Sequence, residues 1–320
     1  MTPGRAEVTT WLAEKITAAG ITLDRAGLTP RPGGADNLVF TARTADSRDL
    51  IVKTPRRMGT SRYGTAAWAA ATLASHGVPA PQVIWHDTSA CVETRCAGTP
   101  LTGTADRPDT AGITPRPAML RAARHAGAVL RIAHSIAVAG YGKLSPAGIG
   151  PHRSLLDSIL AETTETLPQC PPGPQGQLVC AARRAVSTCL RRLDDPGPRL
   201  LLGDCAARHI YLHTDTNMIS GFIDLESARG GDPRADIAGF SVREHPLLTR
   251  ALLDGYFPAG LPAGDLWALT IHRTRIAASL LLFHASRNEL DSARHLPATL
   301  AADLAAIASG TPTALPALHE

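Results

Sequence analysis

Apolar positions recur along this chain with two different periods, and the change of period divides it. In the opening segment Val8, Trp11, Leu12 and Ile16 fall on one face of a helix, behind the start signal Thr2-Pro3. The runs "NLVFTART" (37–44) and "DLIVKTP" (49–55) are β-rich and separated by the polar "ADSR", which predicts an antiparallel hairpin. An alanine-rich helix over 63–77 closes at Gly77, and Pro79 and Pro81 forbid its continuation. "QVIWHD" and "ACVETRC" then read as two more short strands.

After "AGTPLTG" the pattern changes. A Pro/Gly/Thr-rich connector over 105–117 precedes stretches of helical period at 117–137, 153–166, 174–192, 263–287 and 291–309, with a turn-rich hairpin between the third and fourth. These elements predict an α+β molecule. A small lobe, residues 1–96, forms around an antiparallel sheet, and a larger, mainly helical lobe spans 97–320.

Composition adds a polarity to this division. The chain has 320 residues, 44% of them hydrophobic, enough for one large domain or two lobes with a buried core. The formal charge of +4 is uneven. Residues 1–155 carry 18 Lys+Arg against 10 Asp+Glu, and residues 156–320 carry 14 against 18. A basic half suits phosphates and an acidic half suits a cationic or polyhydroxy ligand. Dispersed arginines and 4% aromatic residues argue against a nucleic-acid surface. The six cysteines show no CxxC pair and no zinc spacing, which reads as reduced thiols in a cytoplasmic protein. Charges interrupt the N-terminus where a signal peptide needs an apolar stretch, and no run approaches a membrane span. No pattern sets an oligomeric state.

Candidate chemistry gathers where apolar runs end in acid. Gly203-Asp204 follows one such run, and Asp224 follows another twenty residues on. A carboxylate emerging from a buried strand end is costly unless it meets a cation, a donor or a substrate. Phosphoryl transfer needs one carboxylate to orient or deprotonate the attacking hydroxyl, and further ligands to hold Mg²⁺ on the nucleotide phosphates. Asp204 is the candidate for the first role, and His209 with Asp224 for the second. The bland alternative has Asp204 capping a turn and Asp224 paired with Arg229. Upstream, Gly33 and Gly34 form a turn before a strand, where backbone amides can approach a phosphate. Lys53 interrupts an otherwise apolar strand behind that turn, as a phosphate-holding ammonium would.

The order of Gly-rich turn, "IVK", "ASHGVPAP", "ETRCAGTPL", "GDCAARH" and "FIDLESARGGDPRADIA" resembles the aminoglycoside phosphotransferase family, over roughly residues 28–287. The resemblance implies a bilobal protein-kinase-like fold and a small-molecule kinase using ATP, or GTP, with Mg²⁺. It implies Asp204 as catalytic carboxylate, Asp224 as metal ligand and Lys53 on the nucleotide phosphates. "ETRC" would be the hinge against the adenine, so that Glu93 and Arg95 join Gly33, Gly34, Asn37 and Lys53 in the nucleotide-binding set. The implied acceptor is an antibiotic hydroxyl, such as an aminoglycoside's, in resistance or self-protection. A macrolide or nucleoside antibiotic, or a nucleotide-binding pseudokinase without turnover, are the alternatives. Three positions depart from the family pattern: Leu202 replaces its His, His209 its Asn, and Ala66 the helix Glu that partners the lysine. The His209 variant resembles that of macrolide kinases. Glu162, Glu165, Asp232, Asp236 and Glu244 are carboxylates available to a cationic acceptor, and residues 140–150 with the helices over 263–309 are expected to line its pocket.

Overall fold

The computed structural model describes residues 5–32, 36–57, 59–103, 110, 112–166, 173–287, 289, 294–313 and 315. Helix α1 (Arg5–Ala18) leads into strands β1 (Thr29–Arg31), β2 (Asn37–Arg43) and β3 (Asp49–Pro55), then α2 (Tyr63–Ser75), β4 (Val83–His86) and β5 (Cys91–Thr94). These strands form a five-stranded antiparallel sheet in the order β1-β2-β3-β5-β4. Leu12 and Ile16 of α1 pack on Phe40, Leu50, Val52 and Val92, as the helical period required. Trp11 departs from that reading: it stays 39% exposed, with the Lys15 ammonium over its ring.

Chain order continues with β6 (Thr99–Pro100), α3 (Pro117–Ala133), β7 (Gly142–Lys143), α4 (Leu155–Thr166), α5 (Pro174–Cys189), β8 (Arg199–Leu201), β9 (Ile210–Leu212), β10 (Ile219–Phe222), β11 (Arg229–Gly231), α6 (Arg234–Arg243), α7 (Pro246–Tyr256), α8 (Ala263–Ser286) and α9 (Leu296–Ser309). Two small sheets, β10-β9-β6 and β7-β11-β8, sit among these helices. The alanine face of α2 (Ala66, Ala69, Ala70) belongs to one core with Ala122, Ala126 and Leu130 of α3 and with Phe222 and Leu225. Helix α2 and the helical part thus share buried surface, while the antiparallel sheet packs with α1 in a core of its own. Helices α3 and α7 cross closely: a Cβ at Gly127 would lie 2.1 Å from the Leu252 carbonyl oxygen, and one at Gly255 would lie 1.8 Å from that of Arg124.

The fold is the α+β arrangement, an antiparallel sheet followed by a mainly helical part, that the periodicity implies. Two helices lie outside the stretches read from the sequence, one of them, α7, with its buried Leu248, Leu252, Leu253 and Tyr256 at helical spacing. Residues 234–242 of α6 are all buried, and its polar Arg234, Asp236 and Ser241 lie inside with the rest, so no apolar face stands out. Helix α7 starts at Pro246 in the first turn. The cysteines also depart from the expectation of six reduced thiols. Cys91, Cys96, Cys189 and Cys205 are free, but Cys180 is disulfide-bonded. Pairing depends on separation in space, which the lack of a CxxC pair does not report.

Candidate active site

Strand β8 stops at Leu201, and Gly203 turns the chain at φ +80° to present Asp204. A Cβ at Gly203 would lie 1.9 Å from the Ser227 carbonyl oxygen. Glycine therefore lets the Asp204 segment lie directly against the segment that follows Asp224. The turn is held from beneath by Asp236 of α6, whose Oδ2 accepts from the Leu202 amide at 2.6 Å and whose Oδ1 accepts from the Gly203 amide at 3.0 Å. Asp224, just past β10, has left-handed backbone angles (φ 64°, ψ 47°), which aspartate tolerates better than most residues with a Cβ.

Asp204 lies between two guanidiniums, with Arg243 Nη2 2.9 Å from Oδ1 and Arg208 Nη2 3.1 Å from Oδ2. Burial opposes its charge, but the guanidiniums of Arg243 and Arg208 more than offset that and hold the carboxyl well below the usual range. The Arg243 contact is close without hydrogen-bond alignment, so Oδ1 is buried with no hydrogen-bond partner. An ionised oxygen in that state is ready to accept from a hydroxyl.

His209 has a defined tautomer. Its Nδ1 lies 2.9 Å from the Asp204 carbonyl oxygen, which can only accept, so Nδ1 carries the proton. Nε2 keeps its lone pair, accepts from Arg208 Nε at 3.0 Å, and lies 3.6 Å from Asp224 Oδ2. Asp204, His209 and Asp224 each place a ligand atom within 4.8 Å of the others. Two carboxylate oxygens and an imidazole nitrogen fit a divalent cation that retains several waters, provided Nε2 gives up its bond from Arg208. The bland pairing of Asp224 with Arg229 does not form: Arg229 bonds Glu162 instead.

Lys53 is buried on β3, and the sheet supplies its partner. Glu93 on the neighbouring β5 places Oε1 3.0 Å from Nζ, while Glu226 Oε1 and Asp224 Oδ1 lie at 3.6 and 3.7 Å. Burial pulls the ammonium's pKa down, but Glu93, Asp224 and Glu226 overcome it and keep it raised and charged. Glu226 is pushed up, first by burial, with Lys53 pulling the other way. Three carboxylates around one ammonium leave an excess of negative charge, a second feature that suits a divalent cation. Asn37 stands behind this group: its Nδ2 donates to Glu226 Oε1 at 2.9 Å, and its Oδ1 accepts from Tyr63 at 2.9 Å. Glu93 thus bonds Lys53, Asn37 bonds Glu226 and Tyr63, and Arg95 is exposed, all three lining one cavity. Gly33 and Gly34 lie outside the described residues.

A cavity of about 1200 Å³ joins these groups. Val39 and Ile51 line it beside Lys53, together with Tyr211 and Ile223, and Glu162, Arg229 and Arg275 line it together with Ile276, Leu280 and Phe283 of α8. Of the expected lining, α8 takes part, but no residue of 140–150 or of α9 does.

The carboxylates expected to be available to a cation are spent, with one exception. Glu162 accepts from Arg229 and Arg275, each at 2.7 Å. Asp232 is buried between Arg234 and His272, at 2.8 and 2.9 Å. Asp236 holds the Asp204 turn, and Glu244 bonds Thr110 and the Ala207 amide. Glu165 alone among the five is exposed, 3.5 Å from Lys143. Acidic composition in this half reflects buried ties more than an open acidic wall. Glu226, Arg208, Arg243 and Arg275 escaped the sequence reading. The spacing Asp-x-Glu in "FIDLE" signals Glu226, whereas Arg243 rides on the helix whose pattern was silent.

The family model described as the phosphotransferase enzyme family matches residues 27–267. Among solved structures, the apo form of a thermostable mutant of aminoglycoside phosphotransferase APH(4)-Ia is similar, with TM-score 0.72 and 17% identity over 95% of this chain and 100% of that one. The same enzyme in a ternary complex with ADP and hygromycin B gives 0.71 and 17%, covering 96% and 99%. The macrolide 2'-phosphotransferase MphH of Brachybacterium faecium, as apoenzyme, gives 0.60 and 20%, covering 92% and 98%. No curated protein sequence matches. No helix among the described residues is long and apolar enough to cross a membrane.

Proposed function

We propose that this chain, which belongs to the phosphotransferase enzyme family, transfers the γ-phosphoryl group of ATP, or GTP, to a hydroxyl of an antibiotic or related small molecule with the help of Mg²⁺. The observation that carries this reading is the buried, ionised Oδ1 of Asp204, which lacks a hydrogen-bond partner beside the Asp224–His209 pair.

In this reading Lys53, fixed by Glu93, holds nucleotide phosphates, and the apolar lining of Val39, Ile51 and Ile223 takes the base. Asp204 Oδ1 accepts the acceptor's O–H and aims its oxygen at the γ-phosphorus. The new P–O bond forms as the bond to the bridging oxygen breaks, the nucleoside diphosphate leaves, and the hydroxyl proton passes through Asp204 to solvent. Two guanidiniums make Asp204 a weak base, which suits a loose transition state where orientation matters more than proton abstraction. Asp224 and His209 Nε2 would hold the cation, which supplies charge neutralisation on the phosphates. Phosphorylation of an antibiotic hydroxyl would serve resistance or self-protection.

We also place the division into a nucleotide-binding lobe, 1–96, and a catalytic lobe, 97–320, between β5 and β6, because these strands belong to different sheets. Cytoplasmic residence, where nucleotide is available, fits this chemistry.

Aminoglycosides, macrolides and nucleoside antibiotics incubated with protein, Mg²⁺ and ATP or GTP, then read by mass spectrometry, test the activity. Asp204→Asn should lower turnover by about 10²–10⁴-fold with nucleotide still bound. Asp224→Asn should weaken Mg²⁺-dependent nucleotide binding as well. If Asp204→Asn shifts the Mg²⁺ requirement and Asp224→Asn does not, the two roles are reversed. Nucleotide binding without transfer to any compound would favour a pseudokinase.

A further inference from the structure

The cavity holds two guanidiniums on a single carboxylate. Arg229 of β11 and Arg275 of α8 each reach Glu162 of α4 at 2.7 Å, one on each oxygen. Both oxygens are therefore engaged, and the triad carries one positive charge in excess. Arg275 is 5% exposed and Arg229 half-buried, and the Nε–H of each is buried without a hydrogen-bond partner. Unpaired guanidinium donors under burial are costly and mark where an anion would be stabilised. Arg62 adds to the same field, close enough that Arg229 lowers its pKa after burial does.

The remaining charge points the same way. Asp204, required for the acceptor hydroxyl, already lies between Arg208 and Arg243. Glu165 also lines the cavity, but it is exposed, and Lys143, 3.5 Å away, offsets its charge. An ammonium entering here meets guanidiniums and no unspent buried carboxylate. Ile276, Leu280 and Phe283, on the same helix α8 as Arg275, add apolar lining to the cavity.

We propose that the acceptor is an alcohol with an apolar body and an oxyanion, a carboxylate or a phosphate, received at Arg229 and Arg275. Arginine suits this because its planar fork can serve a second oxyanion while retaining Glu162. The inference rests on the kinase reading above and narrows its substrate class away from polycations.

A matched series isolates the charge: phenyl β-glucoside, its glucuronide and its 6-phosphate, with hygromycin B as the polycation. Each is titrated calorimetrically into the full chain saturated with ADP and Mg²⁺. The glucuronide or the 6-phosphate should bind at least tenfold more tightly than the neutral glucoside, and which of the two gains identifies the oxyanion. Arg275→Met leaves Arg229 and Glu162 as a one-to-one pair and should abolish the gain, whereas Arg275→Lys should retain part of it. Melting temperature shows that both variants are folded. Equal binding across the series, no detectable binding of either anionic probe, tighter binding of hygromycin B, or a gain that survives Arg275→Met would each overturn the proposal. The kinase reading fails separately, if ADP does not bind or if Lys53→Ala leaves its affinity unchanged.

Discussion

Lys53 is held by a carboxylate from the strand beside it, since α2 presents Ala66 where the family pattern has a glutamate. In the register β3–β5, Lys53 is opposite Cys91 and Ile51 is opposite Glu93, which puts Lys53 and Glu93 on one face and one diagonal step apart. Glu93→Gln keeps the shape and removes that charge. Hydrogen bonds to charged groups are worth about 1.5–3 kcal/mol, so nucleotide affinity should fall by about tenfold or more as Lys53 loses its fixed position. Asp224 and Glu226, at 3.7 and 3.6 Å, still compensate the buried ammonium. The loss of stability should therefore stay below the roughly 3–5 kcal/mol typical of an isolated buried pair. Titration calorimetry with ADP and a melting curve check the two halves of this expectation, and an unchanged affinity would show that Glu226 alone positions the lysine.

Among elements, the contact between the Asp204 and Asp224 segments is a backbone-to-backbone approach that a side chain cannot enter. Gly203 has φ +80°, and its missing Cβ leaves room for the Ser227 carbonyl. Gly203→Ala meets both penalties, so it should destabilise by more than the roughly 1 kcal/mol scale of permitted Gly→Ala exchanges. Turnover should fall further than stability does, because the forced shift moves Asp204 away from His209 and Asp224. Chemical denaturation and steady-state rates measure the two effects, and a fully active Gly203→Ala would mean that the segments part without cost.

At the scale of the molecule, Glu162 ties α4 to β11 and α8 around the cavity. Burial raises its pKa, but Arg275 and Arg229 prevail and bring it from 4.5 to about 2. A depressed folded pKa contributes stability above the unfolded value and loses it as pH falls through the folded one. This tie should thus weaken between about pH 4.5 and about pH 2. Glu162→Gln lacks this acid-sensitive contribution at every pH. Its melting temperature should be lower than that of the parent chain near neutrality and should fall less over that interval. Parallel acid dependence of the two proteins would show that the ion pairs contribute nothing to the fold.

The sequence by itself determined the order of elements, because apolar period and Gly/Pro punctuation are local: β2, β3 and α2 stand within two residues of where the pattern puts them. It determined, too, that Lys53, Asp204 and Asp224 are chemically conspicuous, since each interrupts or ends an apolar run. Tertiary structure decided their partners. Glu93 reads as a hinge residue along the chain, and pairing of β3 with β5 turns it toward Lys53. Arg243 and Asp236 come from α6, a helix buried on every side and so without a legible period. Glu162 looks like an acid free to meet a cation until α8 and β11 bring Arg275 and Arg229 to it. Composition counts charges along a line, whereas the field in a cleft depends on which opposite charges the fold has already brought within 3 Å.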